Sequence, residues 1–575
     1  MPPNLFPKPL LPRLFRGIGL FPHDNIQVTS GTPKQARSES IIAVNPRDRN
    51  NLIAASKKFS NPNTYRFTIG VRVSFDGGES WQDATLPTLP EWGNMVGIGT
   101  FDAPAGMTDP AVVFDDFGNA FLVGEPIGYF PGFESPKDIQ TIGMFIYKST
   151  DGGLHWSVPT PLHVGDLDDD KSWIACDNNS ASPHYGNIYI AWGASSPLRF
   201  ARSTDHGQSW KGVGSEAPGS QLANSTFAPE ISVGLDGTVH IVWHIRSSNT
   251  IEYMRSTNGG DSFEAQKSIV TSPEPGGGVH SLDGNLTPTN GWPHFPGATF
   301  RVITLATGCG FGFDPLDNNP FPVPFFFGPK NFIVAWSDYR DGAARIYYRT
   351  SSNAGASFDG PQNGQPLLGQ RQVDPSLHHF HPQIVCTGSG VIGCAYYEYR
   401  YKGENGPNLI DVKLSASFDK GKTFPYTTTV TDRPWDPAID APFSHGDQQV
   451  TFIGEYFGLD ADNTGFDVLW TDTRTGVQEL FYDRVETERV DTPEILGGIS
   501  AQILFGVIQG GDGVVYVNGH ILRVPPRGPI YELVQAMVAL EAADKISGPA
   551  GTALTKSVYT AIGSIAKAAG QRGRG

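Results

Sequence analysis

The chain has 575 residues with a formal net charge of −16, 68 Gly, 46 Pro and 11% aromatic side chains, while only 17% of its residues are charged. That length allows a large core and more than one domain, and the Gly, Pro and aromatic content reads as many short strands joined by turns, not as helices or disorder. The acidic balance argues against nucleic acid or an anionic membrane surface as partner, and no apolar run is long enough to span a bilayer. Residues 1–34 begin "MPPNLFPKPLLPRLFRGIGLFPHDN". Prolines interrupt any signal-peptide core there, so the stretch reads as an extended arm and sets no extracellular address.

From residue 35 to 489 the chain repeats itself. Short apolar runs recur in order as "IIAVNP", "PAVVFD", "WIACD", "EISVG", "FRVITLA", "QIVCTG" and "FIGEYFGLD". Between them lie strands ending near Trp192, Trp243, Trp336 and Trp470. A polar phrase also returns: "VSFDGGESW" ends at Trp81, and related copies end at Trp156, Trp210, Phe263, Phe358 and Phe424. Each copy follows a strand-like run and precedes an extended polar one, which places it at a hairpin turn. The Asp or Asn accepts hydrogen bonds from turn amides, Gly supplies positive φ, and the aromatic residue packs beside the strand it has left.

The phrase resembles the Asp-box, or BNR, repeat of sialidases and related β-propellers. The resemblance implies an all-β propeller of four-stranded antiparallel blades, seven by the count of inner runs although typical sialidases have six. It also implies that the box is structural and lies on the face away from any active site. Such closed repeats hide sheet edges.

Meander geometry then selects the other face. There the first strands of the blades begin, at Arg37, Asp109, Asp170 with Lys171, Glu230 and His381, and the second strands end, at His244 with Arg246, Asp338 with Arg340, Glu398 with Arg400, and Asp472 with Arg474. Either these charges form structural ion pairs, or they recognise a polar ligand. In the sialidase family three arginines hold a substrate carboxylate by bidentate hydrogen bonds, a Tyr is the nucleophile with Glu as its base, and an Asp is the acid. Carried onto this chain, the resemblance implies Arg37, Arg246 and Arg345 as the clamp, Tyr456 as nucleophile, Glu230 as its base and Asp109 as acid. Glu230 and Arg246 are expected to meet. The chain departs from the pattern in two places. "NPNTYRFTIG" holds no carboxylate where the acid belongs, and "HHFHPQIV" holds no Tyr, so Tyr456 stands one blade late.

Two readings follow: a sialidase-like glycoside hydrolase acting on a terminal acidic sugar, or a non-catalytic propeller binding glycan or protein on the same face. Either takes a glycan or glycoconjugate as partner. No Cys/His cluster suggests zinc; Asp168, Asp169 and Asp170 offer oxygens to calcium, or form a solvated loop. Cys386 and Cys394 flank a hairpin and are either cross-strand neighbours or buried free thiols. Residues 490–575 read as a small α+β appendage, with a hairpin in "GGDGVVYVNGHILRVPP" and two helices after it, suited to packing or oligomerisation.

Overall fold

The computed structural model describes residues 16–30, 35–61, 66–87, 102–129, 139–164, 169–194, 197–271, 278–311, 331–369, 374–403, 406–490, 513–517 and 520–524. Seven antiparallel blades follow one another along the chain. Their innermost strands are Arg37–Val44, Asp102–Phe114, Trp173–Cys176, Glu230–Val233, Ala306–Phe311, Leu377–Cys386 and Gly458–Ala461. Each innermost strand packs against the next, and the seventh packs against the first, so the ring closes as a seven-bladed β-propeller. Among the described residues α-helix is confined to the turn Leu282–Asn285, and no helix is long and apolar enough to cross a membrane.

The fourth blade shows why these residues form these strands. Glu230–Val233, Val239–Ile245, Thr250–Ser256 and Lys267–Val270 make the meander. A blade lies between two others, so both faces are buried and no polar alternation is needed. Along its second strand Ile241 joins the core shared with the third blade, and Val242 joins the core shared with the fifth. Trp192, Trp243, Trp336 and Trp470 are fully buried, and each indole N–H is satisfied, by Asp169 (2.6 Å), the Ser225 carbonyl (3.1 Å), Asp338 (3.1 Å) and Asp472 (3.0 Å).

The six repeated turns share one hydrogen-bond pattern. In the first, Ser74 Oγ donates to Asp76 Oδ1 (2.8 Å), while the Gly78 amide donates to Ser74 Oγ (2.9 Å) and the Ser80 amide to Asp76 Oδ1 (2.9 Å). The same three bonds recur at Ser149, Ser203, Ser256, Ser351 and Ser417, with Asn258 and Asn353 standing in for Asp. The aromatic residue does not lie back on the strand it has left, as the sequence suggested. It bridges to the preceding blade: Trp81 meets Tyr482 edge-on at 5.5 Å, Phe263 meets Phe200 at 4.9 Å, and Phe358 meets Tyr253 at 5.2 Å. The phrase is therefore mortar between blades.

Among the described residues the seventh blade shows no such turn. Residues from the N-terminal stretch complete it: Ile26 pairs with Tyr482, Gln27 with Phe481, and the Val28 amide donates to the Leu480 carbonyl at 2.9 Å. Sheet hydrogen bonds thus close the ring between early and late parts of the chain.

One expectation changes, and of the two readings of the cysteines the free-thiol one holds. The innermost strand of the fifth blade is Ala306–Phe311, not "FRVITLA". Its Gly308 and Gly310 give no strand signal, but the Phe332 ring and the Gly234 backbone approach too closely for a side chain there. Cys386 and Cys394 pair with Ile392 and Ile384 in the ladder, so they are offset, and both are free thiols. Residues 312–330 and the two helices expected at 528–546 and 552–570 lie outside the described residues; the expected hairpin is present as Gly513–Val517 and His520–Val524.

Candidate functional site

Five innermost strands are entered through a residue in the left-handed region: Glu39 (φ 52°), Asp109 (48°), Lys171 (56°), Ala228 (46°) and His381 (47°). Three of these entries are bulges, where the register slips after Ser38, Thr108 and Phe380. Each non-Gly residue held this way costs about 1–2 kcal/mol. Such strain persists only where the surroundings impose it, and it gathers at functional sites.

Two of these residues, Glu39 and Asp109, converge on a third, Lys171. Its Nζ lies 3.1 Å from Glu39, 3.2 Å from Asp109 and 2.6 Å from Glu455. Lys57 pairs with Glu39 at 2.6 Å, and Arg301 with Glu455 at 3.0 Å. The Tyr456 ring lies 5.6 Å from Lys171 Nζ, edge-on to Trp173 at 5.9 Å, and its hydroxyl reaches the Pro110 carbonyl at 3.5 Å. Glu39, Asp109 and Glu455 are buried, whereas Tyr456, Trp173 and Asp170 are part-exposed at the end of the ring where the innermost strands begin, called the cup below.

Burial and the neighbouring Asp109 push Glu39 up to about 7 despite Lys171 and Lys57. Burial alone would raise Glu455 as well, but Arg301 and Lys171 outweigh it and hold that carboxyl at about 2. Lys171 shows the mirror effect. Burial disfavours its charge, yet Asp109, Glu39 and Glu455 raise it well above the ordinary lysine value. Asp170 is pushed up to about 6 by burial and Asp109. Asp109, Glu125 and Asp170 are the described acidic residues that come close enough together to hold a metal ion.

Two insertions stand on this face, before the fifth and seventh blades. Phe300 and Thr451 bridge them, the Arg301 amide donates to the Thr451 carbonyl (3.1 Å), and Asn290 Nδ2 donates to Asp447 (2.7 Å). They deliver Arg301 to Glu455 and stack Trp292 on His445 at 5.2 Å.

Of the residues singled out in the sequence, Asp109 and Tyr456 come together beside Lys171. Glu230 does not join them. Its buried carboxylate accepts from Thr307 Oγ1 (2.8 Å), the Gly308 amide (3.0 Å) and Gln383 Nε2 (3.2 Å), tying blades four, five and six. Nor does it meet Arg246: Glu230 pairs with Val242 in the ladder, and Arg246 turns to Asp283 (2.9 Å) and over Phe227 (3.5 Å). Arg37 packs against Gly70, lowered to about 10 by burial and facing Glu479. Arg345 donates to the carbonyls of Ala344 (2.8 Å), Leu377 and Asp374 (2.9 Å), on the wall of a 1110 Å³ groove between blades five and six. The three arginines thus occupy three places. Asp338–Arg340 (2.5 Å), Asp472–Arg474 (2.7 Å) and Glu398–Arg400 (3.2 Å) are local ion pairs. Asp168 lies outside the described residues, and Asp169 is taken by Trp192 and by His163 (2.6 Å).

Sequence reading missed Glu39, Glu455, Arg301, Lys57 and Glu125. Aligning the strand entries with one another would have found the first, because "ESII", "DPAV" and "KSWI" put Glu39, Asp109 and Lys171 at one position.

Glu230 carries a testable consequence. Burial pushes it up to about 7 against its hydrogen bonds. A folded value above the unfolded one, about 4.3, gives stability that is full below the unfolded value and lost as pH rises through 7. Glu230→Gln, with the Gln383 amide free to flip, is therefore expected to gain on the wild type between pH 5 and pH 8.5, by up to about 3 kcal/mol. Urea midpoints at the two pH values check this; an equal offset at both would contradict it.

Neither a protein-family model nor a curated protein matches the chain. Among solved structures it is similar to a protein of unknown function from Dyadobacter fermentans (13% identity, TM-score 0.38, covering 69% of this chain and 98% of that one). It is also similar to the NanB sialidase of Streptococcus pneumoniae (12%, 0.38, 65% and 67%) and to the α-L-arabinofuranosidase Arb93A of Fusarium graminearum (12%, 0.33, 68% and 97%). These likenesses are distant, and the propeller assignment rests on the seven blades themselves.

Proposed function

We propose that the protein is a carbohydrate-active propeller, a glycoside hydrolase that takes a terminal sugar in the cup around Lys171. The observation that carries this reading is the convergence of Lys171, three buried carboxylates and Tyr456 at one point, on backbone held in a strained conformation. The likeness of the six turns to the Asp-box repeat supports it. Tyr456 is the nucleophile on this reading. Glu39 replaces Glu230 as its base, since Glu39 shares Lys171 with Tyr456 whereas Glu230 is held by Thr307, Gly308 and Gln383. Asp109, paired with Lys171, contributes charge rather than a proton.

A sialidase-type specificity calls for Arg37, Arg246 and Arg345 around one carboxylate. Arg246 and Arg345 have partners of their own elsewhere, Arg37 is buried against Gly70 on the side of Glu479, and carboxylates crowd the cup, so the geometry favours a neutral sugar over an acidic one. The second reading, a propeller that binds glycan or protein without cleaving it, draws on one fact: the hydrogen bond shown for the Tyr456 hydroxyl goes to a backbone carbonyl and not to a carboxylate.

A panel of fluorogenic glycosides, neutral sugars beside sialosides, tests these readings. Release from a neutral glycoside, reduced about 10³-fold or more in Tyr456→Phe, is the expected result. Release from sialosides alone would restore the acidic-sugar reading, and glycan binding without any release would favour the second.

A further inference from the structure

Asp109, Glu125 and Asp170 each present one carboxylate oxygen, and the three oxygens lie within 4.8 Å of one another. Asp109 and Glu125 stand on the first and second strands of the second blade, and Asp170 stands at the entry to the third. The fold, not a run of acidic sequence, brings them together. Glu125 is completely buried. Its Oε1 accepts the Ser172 amide at 3.1 Å, whereas its Oε2 is enclosed and has no hydrogen-bond donor. An enclosed carboxylate oxygen without a partner is unfavourable unless a cation or a proton faces it.

The surrounding charge points to a cation. Five carboxylates (Glu39, Asp109, Glu125, Asp170 and Glu455) face Lys57, Lys171 and Arg301. Lys171 is divided among Glu39, Asp109 and Glu455, and no ion pair joins a cation to Glu125 or Asp170 among the described residues.

We propose that Asp109, Glu125 and Asp170 hold a hard divalent cation, with calcium the best fit. The donors are all oxygen, which excludes a preference for the softer metals that select sulfur or imidazole. Calcium binds oxygens at about 2.3–2.6 Å, so ligands that share it lie up to roughly 5 Å apart, which matches the spread of these three. Magnesium, at about 2.1 Å, needs a tighter octahedron and keeps more of its water. Asp170 is part-exposed, giving the ion a path from the cup and room for water to complete its shell. Of the acidic run Asp168–Asp170, Asp170 is the described member that takes part, because Asp169 is bound to Trp192 and His163.

The test is calorimetric titration of EDTA-stripped full-length protein with calcium chloride, alongside thermal melts with and without calcium. Expected are one ion bound per chain, a Tm raised by a few degrees, and affinity at least tenfold weaker in Glu125→Gln and in Asp170→Asn, each checked for native fold by circular dichroism. Asp170 is part-exposed, so its variant keeps the test readable if Glu125→Gln fails to fold. Asp169→Asn should keep the calcium heat. Absence of heat and of any Tm shift with calcium, magnesium and manganese would overturn the proposal, as would undiminished binding in the Asp170 variant. Because the readout is metal binding and not sugar release, its failure leaves the glycoside hydrolase reading untouched.

Discussion

Lys171→Met is expected to lower the stability of the folded chain by about 3–5 kcal/mol at neutral pH, the usual loss when one partner of a buried ion pair is removed. The size follows from the geometry. One ammonium satisfies Glu39, Asp109 and Glu455, and Met fills its volume without its charge. The pH dependence has a definite sign. Glu455 is held at about 2 in the fold. Its ordinary value is about 4.3, so its contribution is present above that value and is lost as pH falls toward 2. Wild-type stability should therefore decline below about pH 4.5, while Lys171→Met, whose carboxylates take up protons readily, should approach the wild type there. Urea midpoints at pH 7 and pH 4 measure both. A variant within 1 kcal/mol of the wild type at pH 7 would show that Lys171 does not hold the centre together.

Gly355→Ala is expected to cost about 2–5 kcal/mol, from a left-handed backbone that a Cβ disfavours by about 1–2 kcal/mol and overpacking of about 1–3 kcal/mol. Gly355 has φ 76°, and a Cβ there would stand 1.8 Å from the Tyr253 hydroxyl of the preceding blade. That hydroxyl cannot simply withdraw. It donates to the Ala354 carbonyl at 3.2 Å and meets His240 Nδ1 at 2.7 Å. The turn lies on the face opposite the cup, so ligand affinity in the folded fraction should be unchanged. Melting curves measure the first effect and glycan titration the second; a variant as stable as the wild type would remove these turns from their role as mortar between blades.

The architecture was legible because its signals are local. Each turn announces itself in one phrase, each buried Trp closes a strand, and the apolar runs count the blades. Signals failed where the physics is long-range. The fifth inner strand, "ATGCGF", hides because close approach of its neighbours selects Gly over β-branched residues. The site was half legible. Asp109, Lys171 and Tyr456 stand where the meander puts them, but the bulge after Ser38 turns Glu39, not Arg37, to the centre, and a bulge leaves no mark in a single strand. Arg301 and Glu455 depend on a bridge between Phe300 and Thr451, residues far apart in the chain, which no local pattern foretells.

The most direct test of the central claim compares Tyr456→Phe with Asp151→Ala on whichever fluorogenic glycoside the wild type cleaves, with kcat/KM expressed per folded molecule. Asp151 holds the second turn through its bonds to Ser149 and His155, on the face opposite the cup. If the cup is the active site, Tyr456→Phe melts within a few degrees of the wild type but loses about 10³-fold or more in kcat/KM, while Asp151→Ala loses stability and keeps its kcat/KM. Full activity in Tyr456→Phe with activity lost in Asp151→Ala would place the chemistry on the other face and contradict the account.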